Sequence, residues 1–203
     1  MHEKILTQDF YLQDTVKVAE QLIGKKLVVT LGRKKLSGII YETEAYLGLE
    51  DPACHSSTGL ITPRTKTFYL KGGHSYIYLI YGMYFCFNIV TGLETQPEAV
   101  LIRALYPVEG LNHLKANSPH IQTIKKLADG PGKLCRSFAI DKTFNELPVF
   151  KASKVNIVNT NLRIDGSKIE TSSRIGIDYA GDAAFWPLRF YYNPENLESQ
   201  LSL

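Results

Sequence analysis

Residues 76–88, Tyr-Ile-Tyr-Leu-Ile-Tyr-Gly-Met-Tyr-Phe-Cys-Phe-Asn, leave the chain little choice of local fold. β-branched and aromatic side chains run up to Gly82 and resume after it, and glycine takes the positive φ that a tight hairpin turn needs. The pattern predicts strand, turn, strand. A hairpin built only for a core would carry Val, Ile and Leu. This one carries Tyr76, Tyr78, Tyr81 and Tyr84, whose rings are apolar and whose hydroxyls need partners. Two uses fit: an amphipathic hairpin packed on a core, or a surface on which flat ligands such as nucleobases stack.

The carboxylates come upstream. Residues 14–24 read as a helix capped by Asp14 or Thr15, with Val18, Ala19, Leu22 and Ile23 on one face and Gly24 at its end. Strands over 27–31 and 36–46 follow, joined by the basic turn at Arg33, Lys34 and Lys35. Alternation along the second strand puts Glu42, Glu44 and Tyr46 on one face. Two carboxylates there are costly to bury. If that face meets solvent they mean little; if it lines a cleft, one is a candidate acid or base. The loop 47–67 holds His55, Thr62 and Arg64 and exceeds the usual connection length, which favours a functional or disordered segment. A lone histidine in such a loop is more often a surface residue than a catalyst.

Downstream of the hairpin, Arg103 interrupts the otherwise apolar strand 99–105. A buried arginine needs an anion, either a structural partner, one of the strand carboxylates or a phosphate. The stretch 107–127 reads as loop and helix, with Ile121, Ile124 and Leu127 as the buried stripe. Gly130-Pro131-Gly132-Lys133 opens a helix over 134–140. Its free N–H groups and lysine suit a phosphate, although the spacing is not that of a Walker loop. Short strands at 155–158, 174–177 and 188–191 complete the chain. With no βαβ rhythm and no linker, the expectation is one α+β domain covering 1–203. It should hold a curved, mostly antiparallel sheet, surrounding helices and a protruding hairpin.

Composition narrows the partners. At 203 residues, 44% hydrophobic and 21% charged, the chain can build a sizeable core. A net charge of +3 permits nucleic-acid binding without demanding it. Cys54, Cys86 and Cys135 lie far apart, which argues against a disulfide framework and a structural zinc site and suits reduced thiols in the cytoplasm. Neither a signal segment nor a membrane-spanning run is evident, so a soluble, unexported protein is expected.

In order along the chain come Glu42-Thr43-Glu44-Ala45-Tyr46-Leu47-Gly48, His55-Ser56, Thr62-Pro63-Arg64, Tyr76-Ile77-Tyr78 and Tyr81-Gly82-Met83. Leu101-Ile102-Arg103-Ala104-Leu105, Gly130-Pro131-Gly132-Lys133-Leu134-Cys135, Arg174-Ile175-Gly176 and Pro187-Leu188-Arg189-Phe190-Tyr191 follow. This ordered set resembles the alkyladenine (3-methyladenine) DNA glycosylase family from about residue 8 to 192. The resemblance implies a base-excision repair enzyme that hydrolyses the N-glycosidic bond of alkylated or deaminated purines in double-stranded DNA. It implies no cofactor, metal or membrane, and a monomer. By the same resemblance Glu44 activates the water and Arg103 positions carboxylate and water. Tyr46, His55 and Tyr78 stack around the flipped base, and Asn88 excludes the exocyclic amino group of guanine. Tyr81 wedges into the duplex, and Thr62, Met83, Tyr84 and Lys133 contact the DNA backbone. The sequence departs from the family at Leu49 (usually Pro), Thr65 (usually Asn) and Tyr106 (usually Glu).

The chemistry asks for such residues. A base must leave the stack before its glycosidic bond can be reached, so a wedge and a pocket are needed. A carboxylate stabilises the oxocarbenium character of the sugar and takes a proton from water, and Arg103 beside Glu44 should lower its pKa. Glu42 is read as structural. No lysine nucleophile is called for, so the glycosylase should be monofunctional, without strand cleavage. Turn length decides the pocket: a two-residue turn puts Tyr78 and Asn88 on opposite faces, whereas a three-residue turn should set them across from one another. The longer turn or a bulge is expected. Two other readings remain, a non-catalytic nucleic-acid-binding module and a hydrolase of small nucleosides.

Overall fold

The computed structural model describes residues 4–201. Helix α1 (Thr15–Gln21) is shorter than the expected 14–24; Asp14 caps it, its carboxylate accepting from the Lys17 N–H at 3.0 Å. Strands β1 (Lys26–Leu31) and β2 (Lys34–Tyr46) form a hairpin, and β3 (Ser75–Ile80) and β4 (Tyr84–Thr91) form the second. Strand β5 (Glu98–Glu109) runs through Pro107, which sits beside a register shift where a ladder N–H is dispensable. The helix of the next stretch is α2 (Leu111–Asn117). Ile121 and Ile124 lie outside it and are half-buried, and only Leu127 of the expected stripe is fully buried.

Helix α3 (Pro131–Ser137) starts at the proline, whose fixed φ suits a first helical position. Strands β6 (Val155–Val158), β7 (Ile169–Ser172) and β8 (Arg189–Tyr192) and helix α4 (Glu195–Leu201) close the chain. Strand β7 and helix α4 escaped the sequence pattern, and 174–177 forms no strand.

The strands make one eight-stranded sheet in the order β3-β4-β5-β2-β1-β6, with β8 on β2 and β7 on β8, antiparallel at every pairing. This bears out the α+β expectation. β2 is the hub: β5 lies along one edge, while the other pairs with β1 up to Ile39 and with β8 from Glu42.

Register explains how the sheet acquires two faces. Tyr76 pairs with Asn88, Asn88 with Leu101, and Leu101 with Glu44, so these four share a face with Tyr78, Cys86, Arg103 and Tyr46. The intervening residues Ile77, Phe87, Ile89, Val100, Ile102 and Ala45 point the other way into the main core, which also holds Val18 and Ala19 of α1 and Leu22 just after it. The Thr43 hydroxyl ties the two layers by donating to the Ala19 carbonyl at 2.8 Å. Between Ile40 and Thr43 the β2–β5 register slips, and the irregularity lies beside Glu42 and Arg103.

Candidate active site

The polar face of β2–β5 does not meet open solvent. Chain 47–70 packs on it through Cys54 and Phe68, against Tyr76, Val90 and Ala99, and the segment around Ile177, Ala180 and Ala183 closes on Ala53 and Tyr46. These walls leave a cavity of about 530 Å³ lined by Tyr46, His55, Tyr76, Tyr78, Asn88 and Arg103 among others. Arg64, Tyr81 and Tyr179 also line it. The long loop is therefore an ordered wall. Ser56 fastens it by donating to the Pro97 carbonyl at 2.6 Å, and Thr65, where the family usually has Asn, donates to the Leu60 carbonyl at 2.6 Å and accepts from the Thr62 N–H at 2.8 Å.

Glu44 has a fully buried side chain and sits immediately behind the cavity rather than on its surface. Its Oε1 accepts from the Ile175 main-chain N–H at 2.8 Å and faces Arg103 Nη1 at 3.2 Å; its Oε2 accepts from the Tyr46 hydroxyl at 2.8 Å. The expectation that Arg103 lowers the Glu44 pKa holds only as a partial effect. Burial raises it and outweighs the lowering by Arg103, the Ile175 amide and Tyr46, so the carboxyl lies above its ordinary range. Burial and the neighbouring Glu44 charge push the Tyr46 phenol far up, which keeps its proton on the donor side of that bond.

Glu42 forms a second charged centre. Its Oε1 accepts from Arg103 Nε at 2.9 Å and Arg189 Nε at 2.6 Å, so Arg103 bridges the two carboxylates. The question left open by the buried arginine is answered: it pairs with the strand carboxylates.

His55 joins the cavity wall instead of the surface. Arg64 Nη2 lies 2.9 Å from His55 Nε2 and the Tyr76 hydroxyl 2.9 Å from Nδ1. A guanidinium can only donate, so Nε2 is the acceptor and Nδ1 carries the hydrogen. Burial and the Arg64 charge hold the imidazole down at about 4, which leaves it neutral. The His55 and Tyr78 rings meet edge to face at 4.6 Å, and Tyr76 and Tyr78 stack at 5.5 Å.

The hairpin turn is the longer one: Ile80 pairs with Tyr84, leaving Tyr81, Gly82 and Met83 between them. Tyr78 and Asn88 consequently share a face and both line the cavity, although they are not opposite one another as expected. Tyr78 pairs with Cys86 and Asn88 with Tyr76, because each lies an even number of positions from the turn but at different heights. The Asn88 amide is anchored by Nδ2 donating to the Tyr76 carbonyl at 3.1 Å. Tyr81 is 79% exposed with φ of 54°, and Met83 is 64% exposed. Leu79, Ile175 and Tyr179 are exposed as well, and with Tyr81 they line the cavity.

The expected phosphate-binding helix start looks different. Lys133 bonds Asp129 at 2.8 Å, and Gly132 serves packing: a Cβ there would stand 3.1 Å from the Tyr84 side chain. Thr62 is exposed on the loop.

Sequence reasoning missed Asp51, Arg174 and Arg189. Arg174 and Asp51 form a fully buried bidentate pair. Asp51 also accepts from the Leu47 and Ala53 N–H groups, and Arg174 donates to the Ala45 carbonyl. Arg174 Cζ lies 4.7 Å from the Tyr46 ring centroid, and its pairing fixes the segment that delivers the Ile175 amide to Glu44. A charged residue inside a matched motif was the available signal for Arg174 and Arg189.

An aromatic cavity over a buried acid held by arginine, amide and phenol defines a class, a site where a flat heterocycle is held against a carboxylate. The sequence pattern of the methylpurine-DNA glycosylase family matches residues 9–196, and the chain belongs to that family, whose members are DNA N-glycosylases. It is 45% identical to a protein of Bdellovibrio bacteriovorus over 92% of this chain and 94% of that one. It is 43% identical to one of Desulfitobacterium hafniense over 93% and 95% of the two chains, and 45% identical to one of Bacillus cereus over 90% and 93%. All three carry the name "Putative 3-methyladenine DNA glycosylase". Among the described residues, no helix is long and apolar enough to cross a membrane.

Proposed function

We propose that this DNA glycosylase works as a single monomeric domain in the cytoplasm. In this reading it flips an alkylated or deaminated purine out of the duplex and hydrolyses its glycosidic bond with water activated by Glu44. The observation that carries the reading is the enclosed Glu44 carboxylate, held by Arg103, Tyr46 and the Ile175 amide directly behind an aromatic cavity. Glu44 Oε2 has acceptor capacity beyond the Tyr46 bond, and a water placed there would lie between carboxylate and sugar.

As the bond breaks, its electron pair leaves with the base, positive charge grows on the sugar, and water adds to the anomeric carbon while Glu44 takes its proton. Glu44, pushed upward by burial, is a stronger base than an exposed carboxylate. Arg103 keeps the carboxylate in place through its two contacts, and Glu42 holds Arg103.

Tyr46, His55 and Tyr78 stack around the extruded base, at about 1–3 kcal/mol per contact. Asn88, its amide fixed on Tyr76, presents a polar group against the 2-amino substituent of guanine. Tyr81 fills the gap in the stack. Met83, Tyr84, Thr62 and Lys133 meet the backbone around it. Among the described residues no lysine lines the cavity, which favours a monofunctional enzyme that leaves an abasic site.

The test is single-turnover release of base from a duplex carrying one hypoxanthine or one ethenoadenine, beside methylated genomic DNA, with wild type and Glu44→Gln. Release by wild type and its loss in the variant with DNA binding retained is expected. Binding without release by wild type would replace this reading with a binding module, and turnover of free nucleosides would point to a nucleosidase. Robust nicking of abasic DNA would refute the monofunctional assignment.

A further inference from the structure

Two arginines, Arg64 and Arg103, line the cavity, and a third, Arg174, is buried behind Tyr46. Arg103 pairs with Glu42 and Glu44, and Arg174 with Asp51. Arg64 differs: among the described residues no carboxylate lies within ion-pair distance of it, and its side-chain partners are neutral, His55 and the Tyr76 hydroxyl. Its Cζ stands 5.7 Å from the Tyr78 ring centroid, so the ring that would stack on a base already faces a cation. Tyr46 has Arg174 against it at 4.7 Å. Each ring thus already has one guanidinium within cation–π range, and Arg64, exposed at the cavity wall, adds a positive charge with no carboxylate beside it among the described residues.

We propose that Arg64 is a specificity-determining residue that favours neutral purine lesions, such as hypoxanthine, over cationic N-alkylated purines. This rests on the glycosylase reading and names the substrate class of the same cavity. A cationic purine brings its charge toward Arg64 and meets repulsion on entry; bond breaking neutralises the base and relieves that repulsion only in part at the transition state, without replacing it by attraction. A neutral purine enters without that cost. As its glycosidic bond breaks, the electron pair moves onto the base, and the developing negative charge faces the guanidinium. Burial first, and the Arg64 charge second, hold the His55 imidazole below its ordinary pKa.

The experiment compares two duplexes of one sequence, one with a single hypoxanthine and one with a single 7-methylguanine, by single-turnover rates with enzyme in excess of DNA but below saturation. Wild type, Arg64→Gln and Arg64→Lys are measured on both. Gln can still donate to His55 but lacks the charge; Lys keeps the charge but loses the planar fork. The ratio of hypoxanthine to 7-methylguanine release should fall about fivefold in Arg64→Gln, the scale of a like-charge contact to an exposed, solvent-screened guanidinium. It should stay near the wild-type value in Arg64→Lys. A role confined to a DNA phosphate would slow both substrates alike and leave the ratio unchanged, and that result overturns the proposal. An equal shift in both variants also overturns it. Release of neither base by wild type would bring down the glycosylase reading and this inference with it.

Discussion

The Tyr46 hydroxyl donates to Glu44 Oε2 at 2.8 Å from two residues along the same strand face. That bond favours the ionised carboxylate, against the burial that opposes it. Removing it in Tyr46→Phe should raise the Glu44 pKa further. The acid limb of kcat/KM against pH should therefore move to higher pH, with a loss of about tenfold at neutral pH, the value of one bond to a charged group. A limb that stays where wild type has it would detach Tyr46 from the protonation of Glu44.

The same balance has a consequence for stability. Folding raises the Glu44 pKa above its ordinary 4.5, so the native state binds the proton more tightly than the unfolded chain. The resulting stabilisation is fully present below that ordinary value and is lost as pH rises through the higher folded one. Glu44→Gln has no such dependence. Urea midpoints of the two proteins should differ in favour of the variant at neutral pH and converge towards the wild type in acid.

Asp51 and Arg174 make a different kind of prediction, because both side chains are fully buried and each is the other's counter-charge. Asp51→Asn leaves a buried guanidinium without its anion and should cost about 3–5 kcal/mol of unfolding free energy. Replacing both, as Asp51→Asn with Arg174→Met, should cost less than the sum of the singles. Equilibrium urea unfolding of the three variants closes the cycle.

Much of this was legible in the chain. The period-two pattern of β2 placed Glu42, Glu44 and Tyr46 on one face, and the interruption at Arg103 announced an ion pair. Asp51 carries no periodic signal, and the loop that holds it becomes a wall through contacts spread along the chain, from Pro97 to Arg174. The lowering of the Glu44 pKa by Arg103 is present as expected, but the net direction could not be read from sequence, which does not show the depth of burial that outweighs it. Tyr78 and Asn88 were placed on one face correctly and across from each other wrongly, since shared facing follows from parity and pairing from absolute register. Gly132 has no need of a positive φ; its small size admits Tyr84.

His55 should make the protein sensitive to mild acid. Its folded pKa of about 4 lies below the ordinary 6.5, so the unfolded chain takes up the proton first. Stability attached to the neutral ring is present above the ordinary value and is lost as pH falls from there towards 4. In His55→Asn the fall in urea midpoint between neutral pH and about pH 5 should be smaller than in wild type. A histidine titration by NMR that finds His55 near its ordinary pKa would refute the assignment of the Arg64–His55–Tyr76 chain.

Tyr81 separates fold from function most cleanly. It is 79% exposed and has a φ of 54°, a conformation that costs a non-glycine residue about 1 kcal/mol. Tyr81→Gly relieves that cost at the turn while adding chain entropy, so the melting temperature should change little. If the ring is the wedge, release of base from duplex DNA should fall about ten- to a hundredfold, because unstacking then goes uncompensated. Release from a single strand carrying the same lesion, where no neighbouring pair must be held open, should fall far less. Equal losses on duplex and single strand would assign Tyr81 to the cavity wall it also lines, and leave the wedge to Met83.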